Sequence, residues 1–167
     1  YGALALTFAF ALWAAVASLL GARQRRPELV TSGRYGLFVT AGLSTISAVL
    51  LMVLLFSHEF QVRYVYEHVS TYSKPAYVLA AFWAGQEGSQ LLWLWMLSLF
   101  TAFLVLSRPT WDRELRPYVM AFLALTQAFF AFLLLRLTNP FELMSTIPAE
   151  GISLNPLLQN FWMIIHP

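Results

Sequence analysis

Four apolar runs set the pattern of the chain. Residues 2–20, 37–57, 89–107 and 118–137 are almost free of charge, and each has the length of about 20 residues that a helix needs to cross a hydrocarbon layer of about 30 Å. Only a helix satisfies its own backbone in lipid, so each run predicts a transmembrane helix. The third run is longer than it first looks. Apolar residues start again at Val78, and only Gly85-Gln86-Glu87-Gly88-Ser89 interrupts them before Ser107. One helix from Val78 to Ser107 would be roughly 45 Å long at 1.5 Å per residue, which overshoots the membrane. A break is predicted at Gly85 and Gly88, where the backbone is freest and neighbours can approach it. Val78–Ala84 then lies on the membrane surface and Ser89–Ser107 crosses it.

The remaining segments are shorter and more polar. Phe60, Val62, Tyr64 and Tyr66 alternate with polar residues, which predicts a short extended or amphipathic piece on the headgroups. Pro140, Pro148, Gly151 and Pro156 interrupt the last segment, predicting an ordered loop with turns and no further long helix. Its end, Leu157–Ile165, is apolar enough to lie on the membrane and brings His166 to the boundary. The predicted class is all-α: a polytopic membrane bundle of four spans with interfacial helices on one side. Residues 1–167 form a single membrane domain, with loops 58–88 and 138–167 on that side.

Charge orients the bundle. Arg23, Arg25, Arg26 and Arg34 lie between the first two spans, and Arg108, Arg113 and Arg116 between the last two. The opposite loops hold only Arg63 and Lys74. Positive residues stay in the cytoplasm, so loops 58–88 and 138–167 are expected outside. Arg136, near the outer end of the fourth span, is expected to snorkel to headgroups. The first run is no signal peptide, because its basic cluster follows the apolar stretch. Tyr1 opens inside an apolar run and Pro167 closes directly after a histidine, so the chain reads as a piece of a longer protein.

Composition narrows the chemistry. At 59% hydrophobic and 11% charged residues, the chain is a membrane protein whose surroundings are lipid, with no patch for nucleic acid. The absence of cysteine excludes disulfides, thiolate metal sites and a cysteine nucleophile on this chain. All three histidines fall on the outer side. A neutral imidazole is the usual axial donor to haem iron, and a boundary position would let a flat apolar ring enter from the bilayer, which makes His166 a candidate ligand. The plainer reading of His166 is an interfacial hydrogen-bonding residue. His58 and His68 have no metal-pair spacing and read as solvated loop residues. Trp83, Trp93 and Trp162 share the outer side, either as an aromatic belt or as a common surface. Glu87 gains from the positive end of the third-span helix, and Ser89 is expected to cap that helix. No catalytic acid–base pair is legible, so the catalytic residues are unassigned.

Two stretches carry a resemblance. Trp83-Ala84-Gly85-Gln86-Glu87-Gly88-Ser89-Gln90-Leu91-Leu92-Trp93, together with Tyr64 to Lys74 before it, is similar to the start of the CcmF-type cytochrome c maturation haem lyases, of the haem-handling membrane protein family. Asn139-Pro140-Phe141, Leu154-Asn155-Pro156-Leu157-Leu158-Gln159 and His166-Pro167 are similar to that family's outer loop. Ala84 stands where the family usually has Gly, and Gln86 where it usually has His. The resemblance implies that His166 is an axial ligand of haem held at the periplasmic face of a bacterial inner membrane. It singles out Trp83, Gly85, Glu87, Gly88, Trp93 and Asn155 as further motif positions at the haem site. It implies haem b as the transferred substrate and a resident b-type haem bound beyond this segment. The partners implied are a CcmE-like haem chaperone, apocytochrome c with its CxxCH thiols, and the proteins that handle those thiols. Trp111-Asp112 is not the family's tryptophan-rich loop, being cytoplasmic and lacking its surroundings. Two other classes stay open: a non-catalytic haem-binding platform for a haem chaperone, and a piece of a transporter. Against the transporter, no span carries a charge at mid-depth.

Overall fold

Six α-helices and one short 3₁₀ turn account for the regular structure in the computed structural model, which describes residues 1–107, 114–160 and 162. Helix α1 runs Gly2–Arg23, α2 Pro27–Phe56, α3 Arg63–His68, α4 Pro75–Ala84, α5 Gln86–Leu106 and α6 Arg116–Arg136, and the 3₁₀ turn is Pro156–Leu158. Four of them, α1, α2, α5 and α6, are long and apolar enough to cross a membrane. The expected all-α membrane bundle is what forms, and the chain is a multi-pass membrane protein.

The four spans close a ring. α1 packs on α2 and α6, and α5 packs on the other side of both. Each helix therefore runs antiparallel to its neighbours. Small residues let them approach: Gly33 lies against Ala14 and Ser18 of α1, and Gly36 against Ala14 and the Phe10 carbonyl. Where helices meet in lipid, the hydrophobic effect adds little, and close packing and polar contacts hold them instead. Ser44 of α2 and Ser98 of α5 share a hydrogen bond of 2.6 Å. The Trp95 indole N–H donates to the Thr45 hydroxyl at 3.0 Å.

The span boundaries differ from those expected. α2 starts ten residues earlier than the apolar run, at Pro27, because Pro at the first helical position is already set for a helix and Glu28 favours the positive end. Its 30 residues make it the overlong helix, at roughly 45 Å. Arg34 accordingly sits inside α2, over the Phe38 ring at 5.5 Å, and not in a loop. Only Gln24, Arg25 and Arg26 separate α1 from α2.

α6 is tied to α5 at depth by Gln127, which is fully buried and donates from Nε2 to the Thr101 hydroxyl at 2.9 Å. Its Oε1 has no partner. A buried amide that loses its remaining bond costs more than an amide that is removed, typically about 1–3 kcal/mol. Thr101→Val is therefore expected to lower the melting temperature in detergent by more than Gln127→Leu, which leaves the Thr101 hydroxyl still donating to the Leu97 carbonyl. The reverse order would show that the amide is satisfied elsewhere.

Candidate functional site at the capped end of the bundle

Opposite the arginine-rich end, residues 57–85 and 137–160 build a cap over the spans. The turn expected in α4–α5 is real. α4 ends at Ala84, Gly85 is extended at φ −103°, ψ 167°, and α5 begins at Gln86. One of α4's last carbonyls and the N–H that follows the helix are taken by one buried side chain. The Tyr64 hydroxyl donates to the Ala81 carbonyl at 2.7 Å and accepts the Gly85 N–H at 3.1 Å. The Ser89 hydroxyl donates to the Trp83 carbonyl at 2.7 Å. Ser89 thus closes α4 and does not cap α5, whose N-cap, Gly85, has no side-chain bond. The reason is register: α5 starts three residues before Ser89, so its hydroxyl sits one turn into the helix and reaches back across the break. Glu87 is in the first turn of α5, where the dipole favours it.

Gly88 is inside α5, and its role is close approach. A Cβ there would run into the Phe82 carbonyl oxygen and the Tyr64 hydroxyl. His68 stacks on Tyr64 with centroids 4.3 Å apart, its Nδ1 is 2.9 Å from the Tyr64 carbonyl, and its Nε2 lies against Gly85. His68 is therefore half-buried packing and not a solvated loop residue. The signal for this was present in the four-residue spacing of Tyr64 and His68, one helical turn apart. His58 is likewise half-buried, with a φ of 54° and its Nε2 buried without a partner. Burial pushes the Tyr64 phenol well above its usual range, only partly offset by the Gly85 N–H.

The outer loop is strapped down by polar bonds. Val62 and Leu143 form an antiparallel bridge, flanked by Arg63 N–H to the Glu142 carbonyl and Met144 N–H to the Gln61 carbonyl, both 2.9 Å. The Arg63–Glu142 ion pair, 3.0 Å long, is half exposed on both sides and contributes little. Glu150 accepts from the Thr71 N–H at 2.8 Å, from the Thr71 hydroxyl and from the Gly151 N–H at 3.1 Å. Those donors hold its carboxyl below the usual range. Gly151 slots against the Val69 carbonyl and the Phe60 ring. Tyr77 donates to the Gln159 carbonyl at 3.1 Å, and the Asn155 carboxamide accepts the Leu157 N–H at 3.0 Å to start the 3₁₀ turn. An ordered loop with turns forms over residues 138–160, as expected. The expected extended or amphipathic piece resolves into the bridge at Val62 followed by α3.

Of the motif positions, Gly85 and Gly88 come together with Tyr64 and His68. Trp83 is half-buried and packs on the core below α4. Trp93, at 64% exposure, faces away from the bundle, and Trp162 is 74% exposed. Asn155 is an exposed turn residue. His166 lies outside the described residues, as do Trp111 and Asp112. Among the described residues no cluster of three or more His, Cys, Asp or Glu side chains could hold a metal ion.

Over 99% of its length, the chain is 33% identical to the cytochrome c-type biogenesis protein CycK of Rhizobium meliloti and to CcmF of Haemophilus influenzae. It is 32% identical to NrfE of Haemophilus influenzae over 98% of its length. This chain is a homologue of the CcmF, CycK and NrfE proteins. A solved structure of the cytochrome c haem lyase CcmF superimposes with a TM-score of 0.84 and 25% identity over 99% of the chain. No protein-family model matches. The chain spans 24% of CycK, 26% of that CcmF and 26% of the solved CcmF chain, so it corresponds to about a quarter of these CcmF-type proteins.

Proposed function

We propose that this chain is the N-terminal quarter of a CcmF-type cytochrome c haem lyase in a bacterial inner membrane, with its cap on the periplasmic side. The observation that carries the proposal is likeness along the whole chain, in sequence and in the path of all four spans, to proteins named for cytochrome c biogenesis. The arginine distribution along the sequence supports the orientation, since seven of the nine cations outside the apolar runs fall in the segments 21–36 and 108–117, expected on the cytoplasmic side.

In this reading haem b is the substrate, received from a CcmE-like chaperone. His166 holds one axial position of its iron through a neutral imidazole nitrogen. The apocytochrome supplies both thiols of CxxCH. Each S–H adds across one vinyl group, sulfur to one carbon and hydrogen to the other, giving a thioether. The protein's contribution is position: a fixed iron and fixed vinyls convert an encounter into an intramolecular step. The strapped loop 138–160 supports this role, because polar bonds fasten it to the cap up to Gln159, seven residues before His166 in the sequence. A resident b-type haem belongs to the remaining three quarters of such a protein.

His166→Ala in the full-length protein is expected to weaken the Soret band of the purified protein and to cut holocytochrome c several-fold, with exogenous imidazole restoring part of both. Unchanged haem content and unchanged holocytochrome would reject His166 as a ligand.

A further inference from the structure

At the arginine-rich end, far from the cap, an open cleft of 660 Å³ lies between the α1–α2 turn and the start of α6. Ala22, Val30 and Pro117 give it apolar walls, Tyr118 adds a half-exposed phenol, and Arg25 and Glu114 complete it with one charge of each sign. Gly21 forms part of its lining, where α2 packs so closely that a Cβ would meet the Val30 side chain at 2.7 Å and its backbone N at 2.8 Å. The side chains of Arg25 and Glu114 make no ion pair with each other and no hydrogen bond to any described residue. Arg25 also holds a left-handed backbone, φ 53°, a conformation that Gly or Asn adopts at less cost. The turn therefore does not need an arginine, yet an arginine side chain lines the cleft.

Two opposite charges that line one cleft and leave each other unpaired fit a ligand that carries both signs. Apolar walls at the end of membrane spans fit a ligand that continues into acyl chains. We propose that this cleft binds the headgroup of a phosphoethanolamine phospholipid, with its phosphate on Arg25 and its ammonium on Glu114. A guanidinium presents several donors to phosphate oxygens at once. The carboxylate accepts from the ammonium, and Tyr118 is placed to donate to the phosphate or glycerol oxygens. Arg23 and Arg26, beside the cleft in sequence, add a general attraction for lipid phosphate. A purely anionic headgroup would satisfy Arg25 and meet Glu114 as a like charge. Selection for the ammonium is thus assigned to Glu114 and retention of phosphate to Arg25. The site is independent of the haem reading, since it lies at the other end of the bundle.

The test is lipid retention by the full-length protein in mild detergent, offered equal amounts of dioleoyl phosphatidylethanolamine and dioleoyl phosphatidylglycerol and read by native mass spectrometry. The wild-type protein is expected to retain the ethanolamine lipid about fivefold over the glycerol lipid, the size of one ion pair near a membrane surface. Glu114→Gln should bring that ratio close to one, and Arg25→Ala should reduce retention of both lipids. Both side chains are exposed, so both variants should melt with the wild type. Equal retention of the two lipids by the wild type, or an unchanged preference in Glu114→Gln, would mean an annular lipid layer only and would overturn the site.

Discussion

Gly88→Ala is expected to destabilise the protein by about 3 kcal/mol, the upper range for forcing one extra methyl into a packed site. The added Cβ has no free direction. On one side is the Phe82 carbonyl oxygen, part of the backbone of α4, and on the other the Tyr64 hydroxyl, held by Ala81 and Gly85. Neither can yield without breaking the α4–α5 junction. Gly85→Ala is the control. Its Cβ would meet the His68 ring at 2.6 Å and the Tyr64 ring at 2.8 Å, so the half-buried His68 ring has to move aside, but no backbone oxygen stands in the way. Thermal unfolding in detergent should therefore rank Gly88→Ala well below Gly85→Ala. Equal losses would show that the wall around Gly88 is softer than its hydrogen bonds imply.

Tyr64→Phe should cost about 2 kcal/mol, because it leaves the Gly85 N–H and the Ala81 carbonyl buried without their partner. It should also change the response to alkali. Burial raises the phenol above its ordinary value of 10.0 in the folded protein, with the nearby Glu87 charge adding to the rise. The unfolded chain then loses that proton before the folded one does. The contribution of Tyr64 is complete below pH 10 and is lost as pH climbs beyond it. Wild-type stability should fall above pH 10, and the fall should be shallower in Tyr64→Phe. Parallel curves for the two proteins would remove the phenol as the cause.

The spans were legible because lipid leaves few options: an uncharged run of the right length has to be a helix. The break before α5 was legible for the same reason, since the alternative helix was too long. What the pattern hid was polar. The first turns of α2 carry Thr31, Ser32 and Arg34 beside two glycines, so hydropathy ends the span at Leu37 while the backbone continues to Pro27. Ser89 looked like a cap because it precedes an apolar run, but its own register placed it within the helix. His68 looked solvated because single residues do not reveal what stacks on them. The roles of Tyr64 and Gly88 emerge only when residues 24 apart in sequence share one knot. The structure explains the glycines of the motif by packing.

The cap also constrains how the protein is made. Its fastenings join Arg63 to Glu142, Thr71 to Glu150 and Tyr77 to Gln159, partners separated by 79, 79 and 82 residues along the chain. As the nascent polypeptide leaves the ribosome, α3 and α4 emerge long before anything that can clasp them. Contacts of such long range form late, after the closure entropy of the intervening loop has been overcome. Membrane insertion of α5 and α6 is therefore a precondition for closing the cap, and a chain stalled before Thr138 would leave Tyr66 and Val69 without their lid.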